Sequence, residues 1–239
     1  MAKVALITGS AVRLGREIAL HLANSGWDVA LHYRTSSKDV SEFEKELAIR
    51  FPGQRFYSFQ ADLGDSDQTH RLIKQVFDHF GQLDLLVNSA SVFELSKFKE
   101  TSAESLIRHT QVNLVSPFIL IRDFANCATS GLIINISDTR ITKNTSDYLS
   151  YSLSKKSLWE LTKMAALELA PNFRVNAIAP GAILAPAGKD HHYLEKIADL
   201  TPMKTPSGII SILKSIDYII GNEDLTGQLI FCDGGAQLL

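Results

Sequence analysis

Cysteine is nearly missing from this chain: two residues in 239, Cys127 and Cys232, far apart and without metal-ligand spacing. That excludes a disulfide-stapled scaffold and a cysteine-based zinc site, and it suits free thiols in a reducing compartment. Long apolar runs are missing too. The opening MAKVALITGS holds a run too short for a signal-peptide core or a membrane span, so a soluble, cytoplasmic protein without a membrane partner is expected. No five like charges stand in a row, and 24 basic against 26 acidic residues leave a formal charge of −2. A nucleic-acid partner is therefore not expected, nor is a bound metal. Proline is scarce, seven in all, and four of them fall between Pro180 and Pro206.

What is present is an alternation of short β-rich runs with longer amphipathic stretches. Strands are predicted over 4–8, 28–33, 55–60, 83–88, 132–137, 174–179 and 228–233, and helices over 14–25, 38–50, 67–80, 103–126, 149–170 and 207–220. Alternation of this kind joins parallel strands by crossover helices, and several strands are apolar on both faces. The expected fold is α/β: a Rossmann-type, doubly wound parallel sheet of about seven strands with helices on both faces, residues 1–239 forming a single domain. The proline-rich stretch at about 182–208 reads as a loop with short helices lying over the site, a lid. His191 and His192 within it read as solvated loop histidines.

TGSAVRLG, residues 8–15, follows the first strand and opens the first helix, where backbone N–H groups and the helix N-terminus hold phosphates. Its two glycines, Gly9 and Gly15, do not have GxGxxG spacing. The turn resembles the TGxxxGxG of the short-chain dehydrogenase/reductase family, with Arg13 in the middle glycine's place. The resemblance runs through almost the whole chain in the family's order. Asp62 and Leu63 follow the third strand; NSAS, 88–91, stands where the family has NNAG; Asn113 lies in VNLVSPF; YSLSK supplies Tyr151 and Lys155; and Pro180 and Gly181 follow the sixth strand. The resemblance implies that Gly9, Arg13, Leu14, Gly15, Asp62, Leu63, Asn88, Ala90, Ser91, Tyr151, Lys155, Pro180 and Gly181 hold a dinucleotide. Family habit also implies a homotetramer built on the YSLSK helix.

An NAD site needs an acid at the end of the second strand, and LHYRTSS, 31–37, has none. Arg34 can instead pair with a 2′-phosphate, with Tyr33, Thr35 and Ser36 beside it and Arg13 adding charge, so NADPH is the expected cofactor. The plainer alternative makes Arg34 a solvated loop residue.

Tyr151 and Lys155, four apart on a helix, share one face. An ammonium about 4 Å from the phenol contributes on the order of 4 kcal/mol at an effective dielectric of 20, roughly 3 pKa units before desolvation opposes it. The expectation is a tyrosine acidified by Lys155, with Asn113 sustaining a water path in the family's manner. The family's serine, thirteen residues before the tyrosine, is here Asp138. Ser137 is adjacent, but strand alternation turns it to the other face, which favours Asp138. An ionised aspartate only accepts hydrogen bonds, which suits a substrate that offers N–H groups, or a protonated carboxyl that helps deliver a proton.

Arg13, the HYRT stretch at 32–35, the SAS at 89–91 after Asn88, and Asp138 together resemble the pteridine reductase and dihydromonapterin reductase branch of the family. On that resemblance Phe93 stacks on the flat ring of a pteridine-like substrate, while Arg13, Ser91, Asp138 and Tyr151 address its polar edge. Phe93 as an ordinary core aromatic is the plainer alternative. Two other readings share the fold: an NADPH-dependent reductase of ketones or 3-oxoacyl thioesters, and a protein that binds NADP(H) without turnover. Departures from the family pattern are Ser89, the lack in PGAIL of the threonine common a few residues after PG, and the unmatched segment 182–205.

Overall fold

The computed structural model describes residues 2–144, 147–183 and 191–239, with side chains omitted at 191–193. Seven strands, β1 (Val4–Ile7), β2 (Asp28–Tyr33), β3 (Phe56–Gln60), β4 (Leu85–Asn88), β5 (Gly131–Ile136), β6 (Phe173–Pro180) and β7 (Leu229–Cys232), form one sheet in the order β3-β2-β1-β4-β5-β6-β7. Every pairing is parallel. The helices are α1 (Arg13–Asn24), α2 (Ser37–Arg50), α3 (Ser66–Phe80), α4 (Ala103–Thr110), α5 (Ser116–Cys127), α6 (Leu149–Leu169), α7 (His191–Ala198) and α8 (Ile209–Gly221).

Strand alternation builds two cores. In β1, Ala5 and Ile7 face Ile18 and Leu22 of α1, Phe43 of α2 and Ile216 of α8. Val4 and Leu6 face Leu72 and Val76 of α3, Leu120 and Phe124 of α5 and Ala166 of α6. All four β1 residues are fully buried, each large side chain stabilising the fold by about 1.5–3 kcal/mol, which is why central strands read as unbroken apolar runs. Among the described residues no helix is long and apolar enough to cross a membrane.

The boundaries predicted from sequence agree to within two residues, with one difference of substance. The stretch expected as one helix over 103–126 is interrupted by a π-helical turn, Gln111–Val115, closed by Ser116 N–H donating to the Gln111 carbonyl. Such turns widen a helix locally and often mark functional positions. Of the expected lid, residues 182–183 and 191–208 are described, the latter opening with α7, while 184–190 lies outside the described residues.

Candidate active site

The order 3-2-1-4 reverses direction between β1 and β4, and at such a switch point the strand ends leave a crevice. A cavity of about 940 Å³ opens there, lined among others by Gly9, Arg13, Leu14, Gly15, Tyr33, Arg34, Thr35, Ser36, Asp62, Leu63, Ala90, Ser91, Phe93, Asp138, Tyr151, Lys155, Pro180 and Gly181. Nearly every residue singled out in the sequence reaches one cleft. Asn88 and Asn113 are not among its lining residues; Asn88 is buried and donates through Nδ2 to Asn135 Oδ1 at 2.8 Å, and Asn135 Nδ2 donates to Thr162 Oγ1 at 2.9 Å. Its side chain joins β4 to β5 and α6 instead of lining the cleft.

The glycine turn is shaped by close approach. A Cβ on Gly15 would strike the Gly9 carbonyl, and one on Gly9, whose φ is +71°, would come within 3.1 Å of Ala90 Cα. Arg13 takes φ +54° without being glycine. The first turn of α1 carries no acid and its N-cap no side-chain bond, so the positive end of the helix dipole faces the cleft unneutralised. Ser36, the N-cap residue of α2, likewise caps nothing with its hydroxyl.

Beneath the turn lies His32, to which the sequence reading gave no role of its own. Its Nδ1 accepts from Gly9 N–H at 3.0 Å and its Nε2 lies 3.0 Å from the Ala61 carbonyl, while its own carbonyl accepts from Ser10 N–H. Burial lowers its pKa to about 4, so the ring is neutral, and Nε2–H is the donor to Ala61. One imidazole thus ties the glycine turn to β2 and to the Asp62 loop. Asp62 itself accepts from Gly64 N–H at 2.8 Å.

At the other end, β5 stops at Ile136 but the backbone stays extended through Asp138 (φ −161°, ψ 148°). Alternation therefore carries on, and Asp138 is the residue that meets the tyrosine: Tyr151 Oη donates to Asp138 Oδ2 at 2.8 Å, and Arg140 N–H donates to Asp138 Oδ1 at 2.7 Å. Ser137 is buried in the same wall, its hydroxyl without a protein partner. Lys155 is buried and donates to the Ile136 carbonyl at 2.7 Å.

The electrostatics correct one expectation. Lys155 does not acidify Tyr151 in this arrangement. Desolvation first, then the charge of Asp138 and its hydrogen bond, push the phenol well above its ordinary value. The ammonium lies 5.8 Å from the ring centroid while the Asp138 carboxylate is at hydrogen-bond distance from the hydroxyl, so after burial it is the carboxylate's charge that raises the phenol. Burial also raises Asp138, against hydrogen bonds from Arg140 and Tyr151 and the charges of Arg140 and Lys155, and burial brings Lys155 down to about 8. The phenol and carboxyl form one coupled acid pair, with the ammonium behind it.

Asn113, in the π-turn, has no side-chain capacity to spare. Oδ1 accepts from Ser91 Oγ (3.0 Å) and Val92 N–H (2.9 Å), and Nδ2 donates to the Val92 carbonyl and to Ser154 Oγ, each at 3.0 Å. Any water path here must use its main-chain carbonyl, which Pro117, four residues on and lacking an N–H, cannot cap. Ser91, expected at the substrate, gives its proton to Asn113 and offers the cleft only lone pairs.

Phe93 is 44% exposed. Its ring stacks on Tyr148 (centroids 4.5 Å, planes 8° apart) and meets Tyr151 edge-on at 4.6 Å. Sequence reasoning missed Tyr148, and it missed Asp233, which accepts from Thr139 Oγ1 at 2.5 Å and from Gln237 N–H at 2.8 Å and so anchors the Asp138 turn to the C-terminal segment. Neither carries a local signal; only the close approach of Gly181 to Asp233 hints at the second.

Cleft, cradle and acid pair together define a nucleotide-dependent oxidoreductase site. The short chain dehydrogenase family model matches residues 3–193, and the chain belongs to the short-chain dehydrogenase/reductase family. An uncharacterised oxidoreductase of Mycobacterium tuberculosis is 32% identical over 98% of this chain and 91% of its own length. The 3-oxoacyl-[acyl-carrier-protein] reductase FabG of Staphylococcus aureus is 31% identical over 98% of both. Among solved structures, the FolM alternative dihydrofolate reductase 1 of Brucella canis, complexed with NADP, superposes with a TM-score of 0.93 at 33% identity, covering 99% of this chain and 94% of that one.

Proposed function

We propose that the protein is an NADPH-dependent reductase of pteridines, acting on a dihydropterin and also suited to an oxidised pterin. The observation that carries this reading is the Asp138–Tyr151 pair at 2.8 Å beside the part-exposed Phe93, whose ring meets Tyr151 edge-on. A carboxyl in the family's serine position accepts N–H groups from a heterocycle, and Phe93 provides a surface on which its ring can stack. The likeness to the Brucella FolM structure supports the same substrate class and cofactor.

The cradle fits a dinucleotide: the Gly9–Gly15 approach leaves space that a Cβ would fill, two helix N-termini face it, and Ser137 presents an orphaned hydroxyl. Arg34 lines the cleft without a carboxylate partner among the described residues, which suits a 2′-phosphate. When bound, the reduced nicotinamide supplies hydride to the carbon of a ring C=N bond. Tyr151 gives the proton to the nitrogen, Asp138 orients and reprotonates the phenol, Lys155 holds positive charge behind both, and the Asn113 carbonyl leads water to the pair.

Arg13 is the residue that departs from glycine at a cost. A side chain in left-handed backbone costs roughly 1 kcal/mol relative to glycine. Arg13→Gly is expected to raise the unfolding free energy read from urea titration by up to about 1 kcal/mol while weakening NADPH binding about tenfold. Unchanged NADPH affinity would remove the arginine from the cofactor site.

The second reading, a 3-oxoacyl thioester reductase, is favoured by the identity to Staphylococcus FabG. An NADPH oxidation assay with dihydromonapterin, dihydrobiopterin, dihydrofolate and an acetoacetyl thioester separates the two. Turnover of the pteridines is expected, with NADPH preferred over NADH, and Asp138→Ser should lose more activity on pterins than on the thioester. Activity on the thioester alone would reject the pteridine reading, and turnover of nothing on a broad panel would favour a binding protein.

A further inference from the structure

We infer that Asp233 is a positioning residue for the reaction: through Thr139 it fixes the turn that aims Asp138 at Tyr151. This rests on the proton-delivering role given above to the Asp138–Tyr151 pair, and it holds for either acceptor weighed there.

The turn is short, and its centre decides where it points. Asp138 caps the 3-10 turn Thr139–Thr142: its Oδ1 accepts from Arg140 N–H at 2.7 Å while its Oδ2 accepts from Tyr151 Oη at 2.8 Å. Thr139 stands between the capping residue and the N–H that binds it, so a shift of Thr139 carries the carboxyl with it. The Thr139 hydroxyl donates to Asp233 Oδ2 at 2.5 Å, across 94 residues of chain. Both residues line the cleft, which puts this bond at its reacting end.

Asp233 suits this task because it is itself held from several sides. It follows β7 and is 3% exposed. Its Oδ1 accepts from Gly235 N–H at 2.9 Å, and its Oδ2 accepts from Gln237 N–H at 2.8 Å as well as from Thr139. Just before it, the Cys232 carbonyl accepts from Gly181 N–H at 3.0 Å, and a Cβ on Gly181 would come within 2.9 Å of Asp233 Cα. Just after it, the Gly234 carbonyl accepts from Met203 N–H at 3.1 Å. One side chain thus stands where the ends of β6 and β7 meet the chain that follows α7. A buried acceptor left a donor short is costly, which keeps the Thr139 bond closed.

The test follows NADPH oxidation with dihydromonapterin and with an acetoacetyl thioester in Thr139→Val, Thr139→Ser and Asp233→Asn. Valine keeps threonine's shape without the hydroxyl, and serine keeps the hydroxyl. A misplacement of about 1 Å can cost about 10²-fold, so Thr139→Val is expected to lower kcat about tenfold, with KM and NADPH affinity changed less than about twofold and Thr139→Ser within about twofold of wild type. Asp138 is faced by Tyr151 and Lys155 from α6 and by Arg140 from its own turn, and all three stay in every variant. Loosening the turn weakens the Arg140 N–H bond, which favours the ionised carboxyl. The limb of the kcat profile that Asp138 sets should therefore move to higher pH in Thr139→Val and stay in place in Thr139→Ser. Asp233→Asn should cost kcat less in the Thr139→Val background than in the wild type. Wild-type kcat and profile in Thr139→Val, equal impairment of the valine and serine variants, an equal cost of Asp233→Asn in both backgrounds, or a loss matched by lost NADPH affinity overturns the assignment. If Asp233→Asn proves unfolded, the two Thr139 variants decide. Thioester turnover alone rejects the pteridine reading and leaves the Thr139 variants to decide the anchor; wild-type turnover of neither acceptor rejects the reductase reading and the anchor together.

Discussion

Tyr151→Phe is expected to lower kcat by about 10²–10⁴-fold, the contribution of one positioned general acid, while the affinity for NADPH changes by less than about threefold. The phenol is 6% exposed and its hydroxyl makes one recorded bond, to Asp138 at 2.8 Å, so the substitution removes a proton and leaves the packing intact. Stopped-flow NADPH oxidation reads the first quantity and quenching of protein fluorescence the second. The variant also strips Asp138 of a hydrogen bond that favours its ionised form, so its carboxyl, already raised by burial, rises further. Residual activity in Tyr151→Phe should therefore increase toward acid pH, where that carboxyl is protonated and able to donate. More than a tenth of wild-type turnover at neutral pH would remove the tyrosine from its assigned role.

The second large effect concerns His32. Its folded pKa of about 4 lies below the unfolded 6.5. As pH falls through 6.5 the unfolded chain takes up a proton that the folded chain refuses, so stability is lost between 6.5 and 4. The whole contribution is present above 6.5 and gone below 4. A displacement of this size amounts to about 3 kcal/mol. His32→Asn keeps an acceptor near Gly9 N–H but cannot titrate. Urea unfolding at pH 7, 6, 5 and 4 should show a wild-type advantage that shrinks by about that amount, and a pH-independent difference would show that the ring's protonation is not the cause. The same variant should weaken NADPH binding at pH 7, because the imidazole anchors the glycine turn and the Asp62 loop together.

Much of this was legible in the chain itself. VALI, DVALHY and LIINI are apolar on both faces, and only a sheet covered by helices on both sides buries such strands. Motif order along alternating strands and helices then carries Gly9, Arg34, Asp138, Tyr151 and Lys155 to one crevice, because a parallel sheet puts every strand's C-terminal end on the same side. Asp138 over Ser137 followed from the two-residue period of a strand, and the backbone stays extended far enough for that period to apply. The π-turn at Gln111–Val115 was not legible, since an extra residue in one helical turn leaves the apolar pattern of 103–126 almost unchanged.

Tertiary structure alone decided the rest. His32 gains its meaning from Gly9 and Ala61, 23 and 29 residues away, and Asn88 gains its from Asn135, 47 residues away. Residue spacing placed Lys155 beside Tyr151, but the titration of the pair depends on which charge comes closer and how much water is excluded. There burial first, and then the carboxylate of Asp138, raise the phenol despite the ammonium on the next helical turn. Sequence determines which groups a fold brings to one cleft; their protonation states follow from distances and desolvation that exist only once the chain has closed around them.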